Sequence, residues 1–306
     1  MTLLTVRALR KHFPLKPDLL GRGGGTVHAV DGVSFDVSAG ETLGVVGESG
    51  CGKSTTARLL LRLIEPDAGE IRLEGRAVGA EMALTEARGK MQMVFQDSFA
   101  SLNPRLTVED SIAFGPVVHG LPRAQACERA RGLLARVGLE PARFAGRYPH
   151  ELSGGQRQRV AIARALALQP MIVILDEAVS ALDKSIEAQV LNLLLDLKAE
   201  LRLTYIFISH DLNVVRYMSD RVMVMYLGKV AELGPSEAVF ADTRHPYTRA
   251  LFSAMPSMDP GRRTEQPPII GDPPNPIDPP PGCRFKGRCA HAEDACGRGD
   301  IPLATA

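Results

Sequence analysis

The chain has 306 residues, 45% hydrophobic and 23% charged, which suits one large or two modest folded domains with ample cores. Its 36 Lys plus Arg nearly cancel 35 Asp plus Glu, tryptophan is absent, and aromatics make only 5%. That balance gives no electrostatic case for nucleic acid or an anionic membrane surface, and little material for stacking bases. No apolar run approaches the ~20 residues of a membrane-spanning helix. The start, Met1 to Arg7, has no signal-peptide apolar core, so the chain is expected to stay in the cytoplasm.

In chain order, residues 3–13 and 26–46 read as strands, with Ser34–Phe35–Asp36–Val37 alternating in period two. Between them, Lys16 to Gly25 carries Pro17 and four glycines and reads as a surface excursion. Thr42–Leu43–Gly44–Val45–Val46 is a short buried strand. It runs into Gly47–Glu48–Ser49–Gly50–Cys51–Gly52–Lys53–Ser54–Thr55, which matches G-x-x-x-x-G-K-[ST]. A helix over Thr56 to Ile64 follows and stops before Pro66. Glycines at this spacing let successive backbone N–H groups turn inward around phosphates. Lys53 can neutralise the β- and γ-phosphates, Ser54 can ligate Mg²⁺, and the helix dipole favours the same anion. An accidental glycine turn would not stand between a strand and a helix. This is a nucleotide phosphate site.

Glu70 to Gly75 is an alternating strand ended by glycine, and Met91 to Gln96 another, with a glutamine at its C-terminal end. From Asp97 to Gln169 the pattern turns helical, with one helix opened by Pro122, running to Val137 and stopped at Gly138. In Leu152–Ser153–Gly154–Gly155–Gln156, Ser153 and Gln156 form a capping box for a helix running to Gln169. The two glycines leave that helix N-terminus bare enough to meet a second phosphate. Strands and helices then alternate from Met171 to Val230, the signature of a mainly parallel sheet. Met171 to Leu175 is a continuous apolar run ending in Asp176–Glu177, as in a central strand buried on both faces. Ligands in such sheets bind beyond the carboxyl ends of strands. Asp176 can orient Mg²⁺ or its waters, and Glu177 can accept a proton from attacking water. An isolated Asp-Glu would be a solvated turn; the phosphate loop upstream changes that reading. Tyr205 to Ser209 is a further strand, ended by His210.

Ten of the 22 prolines fall between Pro256 and Pro281, an extended connector or tail. Of five cysteines, Cys51 lies in the phosphate loop, Cys127 in a helix, and Cys283, Cys289 and Cys296 near the C-terminus. An odd count in a cytoplasmic chain argues against a disulfide framework and leaves metal binding open for the last three.

The phosphate loop, Gln96, Leu-Ser-Gly-Gly-Gln, Asp176–Glu177, Ser180–Ala181–Leu182–Asp183 and His210 follow one another in a familiar order. It resembles that of the ATP-binding subunits of ABC transporters, over almost the whole chain. Val94 to Asp97 with Ser101 to Pro104, Tyr148 to Leu152, His245–Pro246–Tyr247–Thr248 and Cys283 to Cys289 are similar to the oligopeptide/dipeptide importer subfamily.

The resemblance implies an α/β fold: a P-loop NTPase (ABC ATPase) core, an inserted helical subdomain and a C-terminal tail containing prolines and cysteines. The nucleotide-binding core with its antiparallel β portion would cover 1–97 and 165–240, the helical signature subdomain 98–164, and the extension 241–306. It implies a head-to-tail nucleotide sandwich, in which ATP and Mg²⁺ on one subunit's loop are closed over by the other's Ser153, Gly154, Gly155 and Gln156. Carried over by position, Gln96 senses Mg²⁺ and the lytic water, Asp183 communicates across the dimer, and His210 contacts the γ-phosphate. An aromatic residue would stack on adenine: Phe13, with Val27 or His28 as alternatives. Ala178, where many relatives have proline, and Lys184 depart from the pattern without removing a reacting group.

The three C-terminal cysteines resemble the motif of an iron–sulphur cluster, [4Fe-4S], in some subfamily members. Cluster ligation usually takes four thiolates; here the chain reaches Ala306 without a fourth, and His291 could substitute. Zinc is compatible with the same donors. The implied partners are two transmembrane permease subunits, a second ABC ATPase (a paralogue or this chain as a homodimer) and, indirectly, an extracytoplasmic solute-binding protein. The implied place is the cytoplasmic face of the membrane, as a peripheral subunit. The expected work is ATP hydrolysis driving import of small peptides, with nickel or another small solute as the alternative cargo. An ABC ATPase acting on nucleic acid is disfavoured by the near-neutral charge and single cassette, and a subunit that only binds nucleotide by Glu177 and His210.

Overall fold

The structure, a computed structural model, describes residues 1–16, 24–254 and 275–299. In chain order the elements are β1 (Thr2–Leu15), β2 (Gly25–Ser38), β3 (Thr42–Val46), α1 (Lys53–Leu60), β4 (Ala68–Leu73) and β5 (Arg76–Ala77). Then come α2 (Leu84–Lys90), β6 (Met91–Val94), α3 (Val108–Val118), α4 (Arg123–Arg136), α5 (Pro141–Phe144) and α6 (Gly154–Leu166). After these lie β7 (Ile172–Asp176), α7 (Lys184–Leu201), β8 (Thr204–Ile208) and α8 (Leu212–Met218). β9 (Arg221–Tyr226), β10 (Lys229–Pro235), α9 (Ser236–Ala241) and α10 (Pro246–Ser253) complete the regular elements, with 3₁₀ turns at Lys286–Arg288 and Asp294–Gly297. They fall into two units.

The first unit comprises Met1–Thr2, Val37–Thr42 and Val78–Ser209. Its strands run β8-β7-β6, all parallel. Every residue of β7 and β8 is buried, which is why both read as unbroken apolar runs. α3, α4 and α6 pack on one another, and α6 also packs on β6 and α7. α4 buries Ala126, Ala130, Leu133 and Leu134, a single stripe at helical spacing. α7 buries Val190, Leu191, Leu194 and Leu197 and ends where Arg202 turns left-handed, at φ 52°.

The second unit comprises Leu3–Asp36, Leu43–Ala77 and His210–Ala306. One sheet has the order β2-β1-β4-β5, with β1 antiparallel to β4 and a bulge between Arg7 and Arg10. β3 pairs parallel with β9, and β9 pairs antiparallel with β10. The expectation of parallel pairing therefore holds for β3–β9 and for β6–β7–β8, while β10 departs from it. Its reversal comes from Leu227–Gly228, both at positive φ (44° and 80°), a two-residue turn that folds a hairpin.

Two expectations need correction, and one element went unread. α1 starts at Lys53 and ends at Leu60, earlier at both ends than the Thr56–Ile64 reading, because the lysine itself enters the first turn and Arg62 turns left-handed at φ 52°. The stretch 84–90 is a helix that no sequence signal indicated. Part of the C-terminal tail is packed, since Phe285 is 3% exposed and its ring lies 5.4 Å from Tyr226 and 5.5 Å from Tyr247. Residues 17–23 of the glycine-rich excursion and 255–274 of the proline-rich tract lie outside the described residues.

Candidate nucleotide-binding site

The phosphate loop belongs to the second unit. β3 delivers it from a fully buried strand. Gly52 sits at φ 105° as the N-cap of α1, and a Cβ there would stand 2.2 Å from the carbonyl oxygen of Ala29, so only glycine fits. Gly52, the N-cap of α1, has no side chain with which to cap the helix. Lys53 is buried, and its ammonium donates to the carbonyls of Gly47 (2.7 Å) and Glu48 (3.0 Å) and to Cys51 Sγ (3.7 Å). The loop thus curls around its own lysine. Ser49 and Gly50 form its exposed crest, and Ser54 and Thr55 are half-buried. Burial pushes the Cys51 thiol up against the pull of Lys53, so it stays protonated and packs as an inert side chain. A helix start with no side-chain cap and a buried cation beside it is suited to hold an anion.

The carboxylates belong to the first unit. Val94 pairs with Leu175 in the β6–β7 register, so continuing two residues brings Gln96 opposite Glu177. Gln96 Nε2 donates to Glu177 Oε2 at 2.8 Å. Asp176 is 3% exposed at the strand end, and Glu177 turns left-handed at φ 47° while its N–H donates to Ile208 O at 2.9 Å. A bulky residue held in that conformation marks a position whose direction is imposed by its surroundings.

The second glycine-opened helix, α6, is also in the first unit and is built differently. Ser153 Oγ accepts from Gln156 N–H at 3.3 Å, while Gln156 Oε1 accepts from Ser153 N–H at 3.0 Å, completing the expected capping box. A Cβ on Gly155 would lie 2.6 Å from Ile186 Cγ2, so the glycine lets α7 approach the helix start. Asp183 is exposed at the N-cap of α7 with no side-chain cap bond.

In the second unit, His210 is exposed, just before Asp211 caps α8. Phe13 is 36% exposed, with Lys11 Nζ 5.5 Å from its ring centre. His28, the alternative, stacks on His12 at 3.8 Å, and Val27 bridges to Ile277.

Cys283, Cys289, Cys296 and His291 line one cavity of about 960 Å³. Among the described residues, the one His/Cys/Asp/Glu group with at least three ligand atoms within 4.8 Å of one another is His12, His28 and Asp31. A tetrahedral zinc with Zn–S of about 2.3 Å draws its sulphurs to roughly 4 Å apart, so these cysteines are not a preformed zinc site. Among the described residues the thiols of Cys283, Cys289 and Cys296 do not all lie within 4.8 Å of one another, so the expected cysteine cluster is not seen at that spacing. The donors have the chemistry of an iron–sulphur site, whose ligands stand farther apart around a larger inorganic core, but only three are thiolates.

Sequence reasoning missed the groups that surround Glu48. Its N–H donates to Tyr247 Oη at 2.9 Å, and Arg288 Nη1 donates to its carboxylate at 3.1 and 3.3 Å. Tyr247 falls in the His-Pro-Tyr-Thr stretch and Arg288 between two cysteines, but nothing in their spacing points to a loop some 200 residues earlier in sequence.

The loop geometry alone makes the second unit's fold that of a P-loop nucleotide-binding protein. The match to known families narrows this further. Residues 30–180 match the ABC transporter family, and residues 231–296 match the oligopeptide/dipeptide transporter C-terminal region. The chain is 52% identical over 304 residues to a probable peptide ABC transporter ATP-binding protein, y4tS, of Sinorhizobium fredii, covering 98% of this chain and 85% of that one. It is 50% identical to the oligopeptide transport ATP-binding protein AppF of Bacillus subtilis, covering 96% and 91%. Among solved structures, a dimeric post-hydrolysis state of the ATP-binding cassette MJ0796 bound to ADP and Pi superposes with TM-score 0.65 at 28% identity, covering 76% of this chain and 99% of that one. This chain belongs to the ABC transporter family, among its ATP-binding subunits, and has the ABC ATPase fold. Among the described residues no helix is long and apolar enough to cross a membrane.

Proposed function

We propose that the chain hydrolyses ATP to power import of small peptides through two separate permease subunits, at the cytoplasmic face of the membrane. The observation that carries this reading is one chain holding both the Lys53 loop and, at residues 231–296, the oligopeptide/dipeptide transporter C-terminal region. Relatives named for peptide and oligopeptide transport support the cargo class. A second ABC ATPase, a paralogue or another copy of this chain, completes the sandwich, and an extracytoplasmic solute-binding protein supplies the cargo. The dimeric form of a related cassette supports the pairing.

Within this reading Gly47 to Thr55 would hold the phosphates, with Lys53 as the cation; Ser54, Gln96 and Asp176 are the residues that would hold Mg²⁺, which when bound would supply positive charge against the phosphoryl oxygens. Glu177 accepts the proton of the attacking water, steered by its bond from Gln96. His210 meets the γ-phosphate, and Phe13 stacks on adenine. Ser153, Gly154, Gly155, Gln156 and Asp183 act on the nucleotide of the opposite subunit. The nucleotide core is 1–97 with 165–240, the signature subdomain 98–164 and the extension 241–306. In the extension, Cys283, Cys289 and Cys296 hold an iron–sulphur cluster; their shared cavity supports this. Iron and acid-labile sulphide in anaerobically purified protein test it, and absence of both refutes it. The function itself is tested by affinity purification from membranes. Permeases of a peptide importer should co-purify with peptide-stimulated ATPase activity. Co-purification with a nickel permease, or with nucleic-acid enzymes alone, would replace the reading.

A further inference from the structure

The segment between Cys283 and Cys289 is tied to the second unit at two places beside the phosphate loop. Arg288 has its side chain 9% exposed and donates through Nη1 to both Glu48 oxygens, at 3.1 and 3.3 Å, and to Tyr226 Oη at 3.2 Å. Arg284 is buried and bonds the carbonyl of Leu227 and the carboxylate of Asp31. Burial alone would raise the Asp31 pKa, yet the charge of Arg284 and the bond from His12 hold it below the usual carboxylate range. Phe285, between the two arginines, packs edge-on against Tyr226, with ring centres 5.4 Å apart.

A second element reaches the same loop residue. Tyr247 is fully buried, and its hydroxyl accepts from the N–H of Glu48 at 2.9 Å. Burial raises its pKa, so the hydroxyl stays neutral and does not set a phenolate against the phosphate site. The tyrosine is itself held: His245 Nδ1 accepts from its N–H at 3.1 Å, and its ring lies 4.4 Å from Tyr226. Glu48 therefore has its N–H, its carboxylate and its carbonyl all engaged, the last by Lys53 at 3.0 Å.

This matters because Glu48 is a variable position inside G-x-x-x-x-G-K-[ST], where the phosphate-binding work falls to amides and lysine. Its carboxylate would oppose a triphosphate at close range if it swung toward the exposed crest. Arg288 neutralises it and pins it on the side of Tyr226 and Tyr247. We propose that the C-terminal segment is a positioning element of the phosphate loop: Arg288 and Tyr247 clamp Glu48, setting the loop for nucleotide and keeping its carboxylate away from the phosphates. Arg288 and Tyr247 are positioning residues and do not themselves touch the nucleotide. Loosening the clamp weakens ATP binding while leaving the hydrolytic groups Gln96 and Glu177 as they are.

The proposal rests on the reading of the Lys53 loop as an ATP site, so the experiment separates the two. ATP affinity is measured by calorimetry on the full-length chain for wild type, Lys53→Ala, Arg288→Gln, Arg288→Lys, Tyr247→Phe, Glu48→Gln and the Glu48→Gln/Arg288→Gln double variant. Loss of the charge-assisted contact between Arg288 and Glu48 predicts a roughly three- to tenfold rise in Kd for Arg288→Gln, with partial recovery in Arg288→Lys. Because Arg288 works through Glu48, the same change on the Glu48→Gln background should cost little, a non-additivity that general damage to the segment would not produce. Tyr247→Phe removes a single hydroxyl and should weaken binding by a smaller factor with unchanged melting. An unchanged Kd in both Arg288→Gln and Tyr247→Phe, or strictly additive effects, would overturn the clamp. If Arg288→Gln fails to fold, Tyr247→Phe and Glu48→Gln still decide it, since neither alters the cysteine segment. No Lys53-dependent ATP binding in wild type would overturn the ATP site instead.

Discussion

Two helices open on glycines, and they open differently. α1 begins at Gly52 with no side-chain cap and a buried lysine bonded to its own loop carbonyls. α6 begins at Ser153 with a complete capping box that already satisfies Gln156 N–H and Ser153 N–H. The first leaves its amides to a ligand and uses the fold to keep the loop open. The second closes its own N-terminus and remains partly exposed. Two glycine-opened helices therefore start in two ways; under the proposed function the first is a standing site within the chain and the second a lid over the nucleotide of another chain.

The sharpest break of that comparison removes chemistry and leaves both loops alone. Glu177→Gln keeps the bond partner of Gln96 but takes away the proposed base, and loss of a general base lowers rate by about 10²–10⁴-fold. Steady-state phosphate release from the assembled complex measures it, and ATP binding should persist. Turnover near wild type would mean that the Gln96–Glu177 pair is structural.

A smaller effect separates the lid from the site. Ser153→Arg removes the cap, at a cost of about 1 kcal/mol of helix stability, and places bulk where the opposite nucleotide should dock. ATP-driven dimerisation, followed by sedimentation in the Glu177→Gln background, should be lost. Unimpaired dimerisation would remove α6 from the interface.

The smallest effect concerns how the standing site is held. Burial lowers the His245 pKa, against the opposing pull of Glu232, and its Nδ1 must stay unprotonated to accept from Tyr247 N–H. An unfolded histidine takes up its proton near pH 6.5, before the folded one does. Stability is therefore fully present above that value and declines as pH falls through it toward the folded pKa. His28, also lowered, first by burial and then by His12, adds the same sign. His245→Asn keeps an N-cap acceptor without a titrating ring. Its melting temperature should fall less than that of wild type between pH 7.5 and 5.5, on the order of the lost histidine's share. Equal slopes would show that His245 carries no part of the acid sensitivity.

What could be read beforehand was whatever chemistry writes at short range. The phosphate loop, the Ser153–Gln156 box and the apolar run into Asp176 each lie within a few consecutive residues, and each stands as expected. The Gln96–Glu177 bond depends on the register of β6 against β7, set by residues 81 apart in sequence. The Glu48 contacts join residues 199 and 240 positions apart through hydrogen bonds to Tyr247 and Arg288, which have no period to read. The α1 boundary slipped because a glycine N-cap leaves no side-chain signal. The cysteine spacing suggested ligands but could not reveal the 3₁₀ turns at Lys286–Arg288 and Asp294–Gly297.

The contrast between a standing site and a lid is tested most directly by ATP affinity in the isolated chain, measured side by side for wild type, Lys53→Ala and Ser153→Arg. Removing the only side-chain cation of the loop should weaken binding at least about tenfold, whereas Ser153→Arg should match wild type. Weakening by Ser153→Arg as great as that by Lys53→Ala, or no change in Lys53→Ala, would contradict the account.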